Sequence, residues 1–254
     1  MILAIDIGNT NITLGGYQSG ELQFVSRLAT DSNIPADQYA VQIKGIVELY
    51  DKSKEDIEDA IICSVVPTVG NAVFRAIKKL TGNVPLMLGP GIKTGLNIKI
   101  DNPAQLGADL AAGAVGALGV YPLPCVVIDM GTATTISVLD KDGALVGGAI
   151  AAGIRSTLDA LSSKTAQLPD IHPEAPASVI GKNTIDSMKS GLIIGAAAML
   201  DGMIDRIEDE IGSVASVVAT GGLAETVVVN CRREITLNEN LLLDGLYKIY
   251  QKNK

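Results

Sequence analysis

The sequence predicts an α/β fold built from two related halves. Short apolar runs of strand length alternate with segments of helical periodicity, the pattern of strands joined by helical crossovers. A strand–turn–strand–turn–strand unit at 5–22, "IDIGNTNITLGGYQSGEL", is followed by a second at 128–145, "IDMGTATTISVLDKDGAL". One offset of 123 residues pairs Asp6 with Asp129, Gly8 with Gly131, Gly20 with Gly143 and Leu22 with Leu145. A repeat of this kind in 254 residues reads as a duplicated half-domain, with halves spanning 1–119 and 120–254.

The elements follow in order. Residues 1–7, 11–17 and 21–28 read as strands joined by tight turns. Tyr39, Ile43, Ile46, Val47 and Tyr50 recur at near-helical spacing and predict a helix over 36–50. "DAIICSVVP" (59–67) reads as a buried strand closed by Pro67, followed by a helix over 68–81 and a strand at 84–88. A Gly/Pro-rich loop is expected over 89–103, with Pro103 in the first turn of a helix at 104–119. After the second unit come helices at 153–166 and near 183–210, a strand at 214–219 and a terminal helix from about Asn240.

Composition excludes several classes. The net charge of −8 argues against nucleic acid as a partner, because phosphate neutralisation needs clustered Lys and Arg. Three widely spaced cysteines, Cys63, Cys125 and Cys231, offer neither a disulfide framework nor metal-ligand spacing, and point to a reducing cytoplasm. The single histidine, His172, lies in a Pro-rich loop, which excludes a histidine triad. No membrane segment is expected. The uncharged stretch 111–128 contains Pro122 and Pro124, and reads as a helix, a turn and a buried strand.

The turns carry the chemistry. A carboxylate ending a buried strand is costly unless it is paired or faces a cleft. After Asp6, Gly8 lets a ligand approach the backbone, while Asn9, Thr10 and Asn11 supply donors. Asp6 could hold a divalent cation. The turn at Asp129, Gly131, Thr132, Thr134 and Thr135 offers the same groups, expected to face the first across a cleft. Two such turns and a later "TGG" at 220–222 read together as a nucleotide-binding site. "GPGIKTG" (89–95) is not a Walker loop, because Ile92 stands where glycine is required. Asp109, in "NPAQLGADLAAGA", is surrounded by Gly107, Ala108, Ala111, Ala112 and Gly113. That pattern leaves room for a ligand, and it suits close helix packing equally well.

These motifs resemble the type III pantothenate kinases of the actin/hexokinase/Hsp70-like superfamily. The resemblance runs from "DIGNTNI" through "SVVP", "DNPAQLGAD", "DMGTATT", "GGAIAAGI", "TAQLP", "GKNTIDSMKSGLIIG" and "ATGGLA" to "LLLDGL". It implies two RNase H-like halves around a nucleotide cleft, ATP-dependent phosphorylation of pantothenate on the way to coenzyme A, and a homodimer. It further implies that Asp6 to Thr13 form the first phosphate loop, with Asp6 near Mg²⁺. Asp109 is then the general base, and Asp129 the ligand of a monovalent cation, K⁺ or NH₄⁺. Thr132 contacts the ATP phosphates, Thr184 contacts pantothenate, and Gly221 and Gly222 lie on the adenosine side.

The sequence also departs from the family pattern. Leu110 stands where the family's Gly-x-Asp-Arg has arginine, and Ile100 where tyrosine precedes "DNP". Ser137 and Ala152 replace a common aspartate and proline. An arginine forking a carboxylate makes two charge-assisted hydrogen bonds, and leucine makes none. With Ile100, Gly107, Ala108, Asp109, Leu110 and Thr184 as the substrate set, three readings remain open. In one, Lys93 or Lys99 supplies the missing charge. In another, the enzyme phosphorylates a different hydroxyl substrate. In the third, the chain is a non-catalytic nucleotide-binding paralogue acting through a partner protein.

Overall fold

Apolar residues on both faces make a buried strand of β1 (Ile2–Ile7). In the computed structural model, which describes residues 1–254, β1 pairs antiparallel with β2 (Asn11–Gln18), and β2 with β3 (Glu21–Ala29). After α1 (Ala36–Leu49), the chain returns as β4 (Asp59–Ser64) parallel to β1, then forms α2 (Pro67–Thr81) and β5 (Leu86–Met87). The sheet order is β3-β2-β1-β4-β5.

This sheet belongs to a first unit comprising Met1–Leu96, Asn102–Gly116 and Leu241–Lys254. Side chains of a strand alternate between faces. Leu3, Ile5 and Ile7 of β1 enter the core with Ile43 and Val47 of α1 and Val73 and Ile77 of α2. Ala4, with Ile61 and Cys63 of β4, lies on the other face. There it meets Ala112 and Val115 of α3 (Ala108–Ala117) and Leu243, Leu246 and Ile249 of α8 (Leu241–Gln251). Helices α3 and α8 approach closely, since a side chain at Gly245 would collide with the main chain of Ala112. Tyr17 stacks on Tyr247 with ring centroids 4.4 Å apart and donates to Asp244 at 2.7 Å. Lys248 donates to the carbonyl of Gly116 at 2.9 Å, serving the C-terminal end of α3.

The second unit comprises Asn97–Asp101 and Ala117–Asn240. Its strands are β6 (Asn97–Ile98), β7 (Cys125–Met130), β8 (Ala133–Leu139), β9 (Ala144–Ala152), β10 (Ser216–Thr220) and β11 (Thr236–Leu237). Its helices are α4 (Ile154–Lys164), α5 (Thr184–Lys189), α6 (Gly195–Ile211) and α7 (Ala224–Val228), with a π turn joining α5 to α6. The sheet order is β11-β10-β7-β8-β9-β6. Val126, Ile128 and Met130 pack with Leu158, Ile193, Leu200 and Ile204.

Apart from β6, both sheets have the same order, so the duplication read from the offset is present in the topology. The offset of 123 also carries the helix-facing residues Leu3, Ile5 and Ile7 onto Val126, Ile128 and Met130. The turns refine it. Gly8 N donates to the Asn11 carbonyl, and Gly131 N donates to that of Ala133, each at 3.0 Å. The second turn is therefore one residue shorter, and the next hairpin, ending in β9, is one residue longer. Both middle strands carry a register shift at equivalent points, Gly16/Tyr17 and Val138/Leu139.

Several expectations need correction. Pro67 opens α2 at its first helical position instead of closing β4. The strand at 84–88 shrinks to Leu86–Met87. The loop at 89–103 contains β6, which pairs parallel with β9. Pro103 begins a short 3₁₀ turn capped by Asn102, and α3 starts at Ala108. Both α7 and β11 are additional to the elements read from sequence. The continuous helix Thr184–Ile211 is long and apolar enough to cross a membrane by length and composition, but Leu192, Ile193, Ala197, Leu200 and Ile204 are buried in the core of its own unit.

Candidate functional site

The first unit brings two carboxylates to one thiol. Asp6 lies two residues beyond Ala4 on β1, so its side chain shares the face covered by α3 and α8. The parallel register sets Asp6 beside Cys63 of β4. The Cys63 thiol is fully buried on the same face of the sheet as Asp6. Burial, then the negative charges of Asp6 and Asp109, push this thiol well above its usual range. Asp109, in the first turn of α3, is thus close enough to act on the same group as Asp6.

The Asp109 carboxylate is held locally, with Oδ1 accepting from Leu110 N at 2.9 Å. Gly107 lies against that oxygen, leaving no space for a β-carbon. Ala108 packs against the core beneath α3. The turn after Asp6 is braced from β3. Thr30 N donates to the Thr10 carbonyl at 3.0 Å, and the Thr30 hydroxyl donates to the Gly8 carbonyl at 2.7 Å. Asn9, Thr10 and Asn11 are exposed at the turn, and Thr13 pairs directly with Asp6 across the hairpin.

The second unit builds a matching turn. Gly153, the N-cap of α4, donates from its amide to the Thr132 carbonyl at 3.1 Å, as Thr30 does for Thr10. The Ser156 hydroxyl donates to the same carbonyl at 2.7 Å. On the other side Thr220 pairs with Asp129 in the parallel register, and Gly221 presses on the main chain of Met130. Asp129, Thr132 and Gly221 are therefore assembled around one strand end. Gly222 faces open space.

The substrate set predicted from sequence divides between units. Gly107, Ala108, Asp109 and Leu110 lie in the first, while Ile100 and Thr184 lie in the second. Thr184 opens α5, capped by Asn183, and lines a groove of about 720 Å³ with Lys182, Leu161, Leu168 and Met188. Lys99 is engaged by Asp140 at 2.9 Å, and Asn253 hydrogen-bonds both main-chain groups of Lys93. Thr30, Cys63 and Ser156 were not singled out as site residues from sequence. Equivalent positions across the 123-residue offset, Thr30 and Gly153, were the available signal for the braces.

A single carboxylate beside a turn rich in hard oxygen and amide donors suits Mg²⁺, which keeps much of its water and binds through one or two carboxylates plus substrate phosphates. No cluster of three or more His, Cys, Asp or Glu residues able to hold a metal competes with it. Oxygen donors are equally the chemistry available at Asp129.

Two sheets of this order, each with a braced turn following an aspartate, have the actin-like α/β fold. Solved structures share the fold. Component A of (R)-2-hydroxyglutaryl-CoA dehydratase from Acidaminococcus fermentans matches with a TM-score of 0.57 at 17% identity, covering 100% of this chain and 99% of that one. The ROK hexokinase of Thermus thermophilus matches with a TM-score of 0.54 at 12% identity, covering 99% and 98%. The family model for type III pantothenate kinase matches residues 2–206. A protein of Bifidobacterium animalis subsp. lactis (strain AD011) named type III pantothenate kinase is 41% identical over 253 residues, 100% of both chains. The chain belongs to the type III pantothenate kinase family, phosphotransferases with an alcohol acceptor. The full-length match does not favour the non-catalytic or different-substrate readings.

Proposed function

We propose that this chain transfers the γ-phosphoryl group of ATP to the primary hydroxyl of pantothenate, with Asp109 as general base. The observation that carries the assignment is the Asp109 carboxylate, with Oδ1 fixed by Leu110 N and no side chain at Gly107 to displace it. Asp109 takes the hydroxyl proton as the substrate oxygen bonds to phosphorus. The bond from phosphorus to the bridging oxygen breaks, and its electron pair leaves with ADP. Catalysis of this kind rests mainly on positioning and electrostatics.

Main-chain amides of the turns after Asp6 and Asp129 serve the phosphates, together with Thr10, Thr13 and Thr132. Asp6 would hold Mg²⁺ and Asp129 a monovalent cation, K⁺ or NH₄⁺. Bound there, the cations neutralise charge on the transferring group. Gly221 and Gly222 are assigned to the adenosine side, and Ile100, Leu110 and Thr184 to pantothenate. The chain acts in the cytoplasm. The homodimer reading is supported by exposed Val179, Ile180 and Ile185 before and within the helix Thr184–Ile211, and a monomeric mass by light scattering at micromolar concentration would refute it.

The direct test is phosphopantothenate formation by purified protein with ATP, Mg²⁺ and K⁺, in wild type and Asp109→Asn. Asparagine keeps the size and loses the base. The kcat should fall roughly 10²- to 10⁴-fold, the usual contribution of a positioned general base. An unchanged rate would remove Asp109 from that role.

A further inference from the structure

We infer that Thr30 and Ser156 are positioning residues for the two phosphate turns, their hydroxyls gripping main-chain carbonyls so that the amides of Asn9 and Ala133 stay aimed. The inference rests on the assignment of both turns to the phosphates of ATP. In the first unit the Thr30 hydroxyl donates to the Gly8 carbonyl at 2.7 Å, and Thr30 N donates to the Thr10 carbonyl at 3.0 Å. In the second, the Ser156 hydroxyl donates to the Thr132 carbonyl at 2.7 Å, and Gly153 N donates to the same carbonyl at 3.1 Å. Each turn is therefore held by one hydroxyl and one amide.

The two grips are built from different positions. Thr30 directly follows β3 and supplies both donors. The 123-residue offset carries Thr30 onto Gly153, which keeps the amide and has no hydroxyl. Ser156, in the first turn of α4, restores it. The same bond reached from two non-equivalent residues points to a demand that both turns share. Its physical consequence is directional. In a trans peptide the carbonyl of one residue and the amide of the next point in opposite directions. Holding the Gly8 carbonyl fixes the Asn9 N–H away from Thr30, and holding the Thr132 carbonyl fixes the Ala133 N–H away from Ser156. Amides fixed in advance can receive phosphate oxygens without reorganising.

The test uses the full chain. Thr30→Val keeps the shape and the main-chain amide and removes the hydroxyl. Calorimetry with Mg²⁺·ATP should show Thr30→Val and Ser156→Ala each binding about three- to ten-fold more weakly, the loss of one neutral hydrogen bond. Thr30→Ser and Ser156→Thr keep the donor and should stay within about two-fold of wild type. In the hydroxyl-deleting variants KM for ATP should rise, while KM for pantothenate stays within about two-fold of wild type. Alanine is a better helix former than serine, so weaker binding by Ser156→Ala would not come from a weakened α4. The second readout is local. In amide NMR spectra of the wild type, saturating Mg²⁺·ATP should shift the Asn9 and Ala133 signals. Thr30→Val should shrink the Asn9 response and leave that of Ala133, and Ser156→Ala should do the reverse.

Native ATP affinity in folded Thr30→Val or Ser156→Ala would overturn the inference for that turn. So would a Thr30→Ser or Ser156→Thr variant as impaired as its hydroxyl-deleting counterpart, which would make the role one of packing. If a hydroxyl-deleting variant does not fold, the wild type still decides. Asn9 and Ala133 signals that stay put while other amides of the two turns respond to nucleotide would overturn the inference. Bound nucleotide that moves no amide of either turn would instead refute the assignment of the turns to phosphate.

Discussion

Gly221 lies so close to the main chain of Met130 that a β-carbon would come within 2.6 Å of its nitrogen, carbonyl carbon and oxygen. Its φ is +101°, a conformation that side-chain-bearing residues rarely adopt. Met130 stands between Asp129 and the Gly131 turn, so the "TGG" segment sets the position of the second turn from behind. Gly221→Ala must move backbone, since no flexible side chain is available to yield. It should lose roughly 1–3 kcal/mol in chemical denaturation and weaken ATP binding at the same time. Gly222→Ala, which meets open space, should stay within about 0.5 kcal/mol of wild type. Equal losses in both would separate the contact from the function of the motif.

A β-carbon at Gly107 meets a movable group, the tip of Asp109. Gly107→Ala should therefore fold with a near-native thermal midpoint, while Asp109 leaves its bond to Leu110 N. Misplacement of a reacting group by about 1 Å can reduce rate about 10²-fold, and a loss of that order in kcat is expected. A variant with native kcat would show that the local pose of Asp109 is unimportant to turnover.

The Lys99–Asp140 pair ties the segment after β6 to the hairpin between β8 and β9. The Lys99 hydrogen bond, helped by the amides of Ala144 and Asp142, holds Asp140 below the usual carboxylate range, and Asp140 raises Lys99. A lowered carboxylate contributes stability above its ordinary range and loses it as pH falls through the lowered value. The raised lysine contributes below its ordinary range and loses it as pH rises through the raised value. The pair therefore acts fully at neutral pH. Lys99→Met should lower the thermal midpoint slightly near pH 7, with the difference vanishing in acid below the lowered range of Asp140. High salt should shrink the neutral difference, because both side chains are solvent-accessible. A difference independent of pH would mean that lost packing, not charge, is responsible.

The duplicated sheets were legible because strand and turn chemistry are local. Asp6, Gly8, Asp129 and Gly131 mark strand ends and turns within a few residues of sequence, and their common offset survives a one-residue exchange between hairpins. The two-residue strands β5, β6 and β11 were obscure because pairing with a neighbour, not local pattern, creates them. The return of α8 to the first unit depends on Gly245 meeting Ala112 and Tyr17 meeting Tyr247, contacts that a single sequence does not announce. Cys63 was hidden for the same reason. Its relation to Asp6 is a matter of parallel register between strands far apart in the chain. Nothing in the structure explains why Ile100 replaces the family's tyrosine.

Leu110 offers the sharpest test of substrate binding. It follows Asp109 on α3 and is half-buried, offering an apolar surface where the resemblance places an arginine. Of the two lysines considered as its substitute, Lys99 is paired with Asp140, while Asn253 holds only the main chain of Lys93. If pantothenate binds with its carboxylate near this residue, that charge is poorly compensated in the wild type. Leu110→Arg should then tighten pantothenate binding by roughly 1.5–3 kcal/mol, about ten-fold or more in affinity. The same guanidinium would stabilise ionised Asp109 and make it a weaker base, so the gain belongs in KM and not in kcat. Adding Ile100→Tyr should strengthen binding further, with an effect that need not add because both residues would share one ligand. Calorimetric titration of wild type and Leu110→Arg with pantothenate decides the matter. A wild type that binds tightly and a variant that binds no better would mean that another cation already serves the carboxylate.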